Sequence, residues 1–131
     1  YSEAASEHLA LGQYDQAMKQ YKKIVIHARE TIENLPQHES APAIKYHQYL
    51  IIADTLNNIG VMHEMQGEYD FGLQACQEAL DIYKEAAEDI ESGNEQEENE
   101  YLENVKRTTG NIAQMRNGKL SSKERTRLHV V

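Results

Sequence analysis

Tryptophan is absent from this 131-residue chain, which has one cysteine, one phenylalanine and two prolines. The lone Cys76 excludes an internal disulfide and favours a reducing, cytoplasmic compartment. Few strand-forming residues and abundant alanine, glutamate, lysine and leucine favour helices. The sequence has no run of 18 apolar residues and no signal-peptide pattern, so we expect no membrane partner. Because the chain opens on Tyr1 instead of methionine, we expect it to be a piece of a longer protein.

Charge is divided unevenly along the chain. Residues 67–103 carry one basic and 13 acidic side chains, whereas residues 104–131 carry seven basic and one acidic. A run of acidic residues is usually a solvated helix end. The more specific hypothesis is that the acidic stretch 85–103 pairs with the basic stretch 106–127. Nucleic-acid binding is disfavoured, because the basic segment is short and lies beside a strongly acidic one.

A short motif occurs twice. Residues 12–15 read Gly-Gln-Tyr-Asp, and residues 67–70 read Gly-Glu-Tyr-Asp, 55 residues later. His8 and His63 each precede the glycine by four residues. Self-similarity of this kind predicts a repeated helix–turn–helix unit with turns at Gly12 and Gly67. The two histidines are interpreted as half-buried packing residues.

Apolar residues recur in steps of three and four along most of the chain. This spacing predicts helices over 1–11, 14–34, 43–66, 69–90 and 99–116. Residues 95–100 are an acidic connector or an extension of the last helix. We expect one repeat domain over 1–118 and a basic tail or partial helix over 119–131.

These residues resemble the tetratricopeptide repeat. Residues 55–60, 67–69 and 76–82 read Thr-Leu-Asn-Asn-Ile-Gly, Gly-Glu-Tyr and Cys-Gln-Glu-Ala-Leu-Asp-Ile, and they look most like the long-helix repeats of kinesin light chains. The resemblance implies an all-α, right-handed solenoid of antiparallel helix pairs, with about five unusually long helices. The repeat distance is 53–55 residues, against about 34 for this repeat type. Gly72 and Cys76 stand where the family has alanine and an aromatic residue, so packing there must tighten.

The resemblance also implies where a partner binds, because the first helix of each repeat lines a concave groove. With Gly67 as the turn, the groove-facing residues are Asp54, Asn57, Asn58, Val61, Glu64 and Met65. Matching Asn58 to Asn111 adds Arg107 and Gln114 on the next repeat. Asparagine amides can bond both the N–H and the C=O of an extended peptide. The alternatives are that the asparagines contact only water and that Arg107 pairs with Glu103 one turn away.

No arrangement typical of an enzyme is present. The chain has no serine–histidine–aspartate order, no phosphate-binding glycine loop and no Cys-x-x-Cys motif. No histidine–carboxylate spacing predicts a metal site, we expect no cofactor, and Cys76 lacks neighbouring cations that would activate it. The leading hypothesis is a non-catalytic module that binds a peptide or helix of another protein. The alternatives are a self-associating structural scaffold within a larger assembly and a peptide-sensing helical regulator.

Overall fold

The computed structural model describes residues 14–37, 41–90 and 93–120. These residues form four α-helices: α1 (Tyr14–Glu33), α2 (Ala41–Met65), α3 (Tyr69–Ala87) and α4 (Glu95–Leu120). Helix α2 packs along both α1 and α3, while α4 packs mainly on α3 and touches α2 over a short stretch. The described part of the chain is therefore a row of helices, each packed on the one before it.

Local sequence signals account for the ends of the helices. After α1, Pro36 lacks the N–H that would continue the backbone ladder. Between α2 and α3, Gly67 adopts a φ of +77°, a backbone conformation that residues other than glycine rarely adopt. Asn94 caps α4: its Oδ1 accepts from the Glu97 N–H at 3.1 Å, and its amide donates to the Glu97 carboxylate at 2.8 Å.

The main apolar core lies between α1, α2 and α3. Tyr21 of α1, Ile52 of α2 and Tyr83 of α3 are its largest fully buried members. A second, smaller cluster joins α2 and α3 to α4 through the side chains of Val61, Cys76, Ile112 and Met115. Because burial of apolar surface is the main driving force for helix association, these two clusters set the order of the helices.

Helices α2 and α3 cross at unusually close range. A Cβ placed on Gly60 would lie 2.9 Å from the Gly72 carbonyl oxygen, and one placed on Gly72 would lie 2.9 Å from the Gly60 carbonyl oxygen. The Cys76 side chain fills the remaining space beside Gly60. The tighter packing expected from the small residues at 72 and 76 is therefore present, and it takes the form of backbone contact between the two helices.

The predicted all-α architecture of helix pairs is confirmed, with four helices in the described residues against about five predicted. The prediction for the last helix was wrong at both ends, because residues 95–98 and 117–120 also belong to α4. The connector interpretation of residues 95–100 is wrong as well, since the Asn94 cap starts the helix at Glu95. The Gly12 turn and the helix over 1–11 lie outside the described residues. Helix α4 extends two residues beyond residue 118, where the repeat domain was predicted to end. The division into a repeat domain and a C-terminal tail stays a prediction.

We predict opposite effects of the same substitution at two helical glycines. Gly72→Ala should lower the free energy of unfolding by about 1–3 kcal/mol, because its Cβ overpacks the crossing with α2. Gly110→Ala should raise it by about 0.5–1 kcal/mol, because no atom lies within 4 Å of its Cβ and alanine is the better helix former. Urea unfolding followed by circular dichroism measures both. Equal effects of the two substitutions would contradict the close crossing.

Candidate protein-binding surface

A polar network joins three helices at the edge of the core. Tyr83 of α3 donates a short hydrogen bond to Asp54 Oδ1 of α2. Arg107 Nη2 of α4 lies 3.1 Å from the Tyr83 hydroxyl, 3.7 Å from Asp54 Oδ1 and 2.8 Å from Asn104 Oδ1. One guanidinium group therefore contacts side chains from α2, α3 and its own helix, and this fixes the position of Arg107.

Burial sets the protonation of this network. Desolvation raises the pKa of Asp54 above its usual value, while the hydrogen bond from Tyr83 and the charge of Arg107 oppose that rise. Desolvation and the nearby Asp54 carboxylate raise the pKa of Tyr83, so the hydroxyl stays protonated and acts as the donor. The three side chains contact one another, and the network links α2, α3 and α4.

Two asparagines form a second link, deeper in the molecule. The Asn111 amide of α4 donates to Asn57 Oδ1 of α2 at 3.0 Å, and both residues are fully buried. The Cys76 thiol lies 3.9 Å from both the carbonyl oxygen and the Oδ1 of Asn57. Burial raises the pKa of Cys76 to about 12, so the thiol is protonated near neutral pH and has little nucleophilic character.

The structure corrects the expected groove. Five of the nine residues expected to face a partner lie in the interior, each no more than 7% exposed: Asn57, Asn58, Val61, Glu64 and Asn111. The remaining four reach the surface: Asp54, Met65, Arg107 and Gln114. The asparagines are therefore buried where exposure in the groove was expected, and the Asn57 and Asn111 amides bond each other between α2 and α4. A binding role for the four accessible residues stays a prediction.

The open face of α4 is the set of residues that line a depression of about 510 Å³: Glu103, Lys106, Arg107, Gly110 and Gln114. Two buried polar atoms on this face have no hydrogen-bond partner among the described residues, the Arg107 Nε donor and the Gln114 Oε1 acceptor. An unsatisfied buried polar atom costs about 1–3 kcal/mol. Arg107 and Gln114 therefore each carry one buried polar atom without a partner among the described residues.

The repeat relates this face to a covered one. With the offset that matches Asn58 to Asn111, the Arg107, Gly110 and Gln114 positions correspond to Asp54, Asn57 and Val61 of α2. All three α2 residues contact α4: Asp54 pairs with Arg107, Asn57 bonds Asn111, and Val61 packs in the cluster with Ile112. Among the described residues, no helix covers the α4 surface that corresponds to this contact surface of α2.

A smaller depression of about 230 Å³ lies at the turn between α2 and α3, and the sequence analysis did not anticipate it. It is lined by residues 67–71 and by Lys119, whose Nζ lies 2.6 Å from Asp70 Oδ1. Phe71 is 58% exposed there, with its ring tilted against that of His63. A lone exposed phenylalanine is common on protein surfaces, so this depression is the weaker candidate.

The acidic stretch makes hydrogen bonds inside the described structure. Tyr46 donates to Glu100 at 2.8 Å, and Tyr49 donates to Glu85 at 3.2 Å. Within the described residues, Arg107 and Lys119 of α4 form ion pairs with Asp54 and Asp70, which lie outside the stretch 85–103. The rest of the basic stretch, from residue 121 onward, lies outside the described residues, so its pairing with the acidic stretch stays a prediction.

Two further features of the described residues bear on the class of site. None of the four helices is both long and apolar enough to cross a bilayer. Within residues 14–37, 41–90 and 93–120, no three side chains of histidine, cysteine, aspartate or glutamate come together as a group that could hold a metal ion. The open face of α4 is thus left as the principal candidate site of the described structure.

Comparison with known proteins identifies the central helix pair. Residues 52–89 match the family model of the tetratricopeptide repeat, a match that spans most of α2, the Gly67 turn and all of α3. Searches of curated proteins and of solved structures gave no match. The narrower similarity to kinesin light chain repeats stays a prediction.

The buried asparagine pair leads to a prediction about stability. Asn57→Ala and Asn111→Ala should each lower the free energy of unfolding by about 1–3 kcal/mol, because each leaves a buried amide group without its partner. The double variant should cost about 1 kcal/mol less than the sum, as expected for residues in contact. Urea unfolding of the four proteins measures the coupling. Additive effects would show that the two amides do not bond.

Proposed function

We propose that this chain, in which residues 52–89 form a tetratricopeptide repeat, is a non-catalytic protein–protein interaction module. A segment of a partner protein docks on the open face of α4, beside the network of Asp54, Tyr83 and Arg107. Repeats of this kind stack by nearest-neighbour contacts and present extended surfaces to other proteins. The proposed surface keeps Arg107 and Gln114 from the groove inferred from the sequence and omits the buried asparagines.

The observation that carries this proposal is a depression on a face of α4 whose repeat equivalent on α2 is covered by α4. Arg107 Nε and Gln114 Oε1 are buried from water and lack partners. The equivalent α2 residues, Asp54 and Val61, are in contact with α4.

The chemistry of the surrounding side chains supports binding over catalysis. The Cys76 thiol is buried and protonated, and Asp54 is engaged by Tyr83 and Arg107. A general base or nucleophile needs an accessible group of matched pKa, and neither residue provides one. A free, buried thiol also fits the reducing, cytoplasmic setting proposed for the protein. The peptide-sensing regulator stays an alternative prediction.

Site-specific photocrosslinking tests the proposed surface. A benzophenone amino acid replaces Lys106, which is exposed on the open face of α4, and in a matched control it replaces Gln77, which is exposed on α3. Illumination of cells expressing the full chain should give protein adducts at position 106 and none at 77. Adducts should be lost in the Gln114→Ala background if that amide contacts the partner. Absence of adducts at position 106, or equal adducts at both positions, would overturn the proposal.

A further inference from the structure

We propose that the chain associates head to tail, with α1 of one copy packed on α4 of another. The contact joins two exposed helix faces. The Ile26 face of α1 consists of Lys19, Lys22, Ile26 and Glu30, and the Leu102 face of α4 consists of Glu95, Glu98, Leu102 and Lys106. The inference does not rest on the proposed function, because neither Arg107 nor Gln114 belongs to these faces.

An exposed apolar side chain lies within each face. Ile26 is 57% exposed and Leu102 is 61% exposed. A single exposed isoleucine or leucine is common on protein surfaces, so apolar exposure alone identifies no occupant. The charged residues around the two side chains supply the missing information.

The two faces have the same spacing and opposite charges. On both helices the four residues follow one another in steps of three, four and four, so each face extends about 16 Å along its helix. A parallel alignment with Ile26 opposite Leu102 gives three pairs of opposite charge: Lys19 with Glu95, Lys22 with Glu98, and Glu30 with Lys106. All eight residues are exposed, so the pairs can form without rearrangement of the core.

The antiparallel alignment gives the opposite result. With Ile26 still opposite Leu102, Lys22 would lie opposite Lys106, and Glu30 would lie opposite Glu98. Like charges placed together across an interface are costly, and such juxtapositions exclude wrong orientations. The charge pattern therefore selects the parallel alignment.

A second copy is the occupant that these faces fit. Within one chain α2 and α3 lie between α1 and α4, so the two faces cannot meet each other. Another copy presents the complement of each face with the matching spacing. Because the two surfaces differ, the contact is heterologous, and it leaves one free face of each kind to which further copies can add.

Charge reversal tests the contact. Lys22→Glu and Glu98→Lys each replace an attractive pair by a repulsive one. Sedimentation velocity of the full chain over a concentration series should show an average mass that rises with concentration, and association about tenfold weaker in each variant. The measurement uses about 0.15 M salt, because the net charge of −9 repels copies at long range and salt screens distant charges.

A control separates the contact from net charge. Lys84→Glu changes the net charge by the same amount as Lys22→Glu, at an exposed position on α3. It should leave self-association unchanged. An equal effect of the two substitutions would attribute the weakening to the net charge of the chain and overturn the inference.

Mixing the two variants is the most specific measurement. In the mixture the reversed charge of Lys22→Glu meets the reversed charge of Glu98→Lys, while the unchanged Lys22 of one protein meets the unchanged Glu98 of the other. Both contacts then join opposite charges, so the mixture should associate about as strongly as the wild type. Nonspecific association or impaired folding would give no such recovery.

A disulfide tests the alignment. When Ile26→Cys and Leu102→Cys proteins are mixed, mild oxidation should link residue 26 of one chain to residue 102 of the other. Gln77→Cys, at an exposed position on α3, replaces Leu102→Cys in the control and should give no specific link to residue 26. The Cys76 thiol is buried and stays in all three proteins.

The outcomes separate this inference from the proposed function. A wild-type chain that is monomeric at every concentration, or a mixture without recovery, would overturn the head-to-tail contact. Because Lys106 also lines the open face of α4, the identity of its adducts matters. An adduct with a second copy that is lost in Ile26→Asp supports the head-to-tail contact. An adduct with a different protein supports the proposed function, whatever the result of sedimentation.

Discussion

The backbone contact between α2 and α3 at Gly60 and Gly72 is the constraint on which the arrangement of the other helices depends. Neither residue has space for a Cβ against the other's carbonyl oxygen. The close crossing leaves room beside it for Cys76, and it brings Gly72 within reach of Met115, whose Sδ would lie 3.1 Å from a Cβ on that glycine. Helix α4 is therefore seated on the crossing itself, and any change in the distance between α2 and α3 would move α4.

Polar side chains then fix the register between α2 and α4. These two helices touch over a short stretch, and their contacts include the bond between Asn57 and Asn111 and the ion pair between Asp54 and Arg107. Apolar packing tolerates small sliding motions, whereas a buried amide that loses its partner is costly. The asparagines cost helix propensity and in return specify one alignment of the helices. By fixing this alignment, Asn57 and Asn111 position the open face of α4 without being exposed on it.

Helix periodicity and the Gly67 turn were sufficient to predict the helix pairs, because both signals are local. The burial of the asparagines could not be predicted in the same way. Helix α2 has buried residues on all sides in its second half, from Ile52 to Glu64, so the usual contrast between apolar and polar faces is missing. A polar residue in such a helix is predicted to be exposed unless its hydrogen-bond partner is known. The partner of Asn57 is Asn111, 54 residues later in the sequence. Arg107 and Gln114 were predicted from the repeat offset, and their binding role stays a prediction. Gly110 has no local pattern that distinguishes it from a helix-weakening glycine.

An alternative is that the open face of α4 contacts only water, as the polar outer face of a terminal helix in a repeat stack does. This alternative accounts for part of the open face. It explains Lys106 and Glu103, which are exposed and can be hydrated. It does not explain Arg107 Nε and Gln114 Oε1, because these atoms are buried from solvent and have no partner in the part of the chain that the structure describes. A surface evolved only for contact with water would keep its donors and acceptors where water reaches them. Since the network with Tyr83 and Asp54 holds the guanidinium in place, Arg107 cannot turn outward to be hydrated without losing those bonds. The missing bonds of these two atoms are therefore a feature of the fold of the described residues.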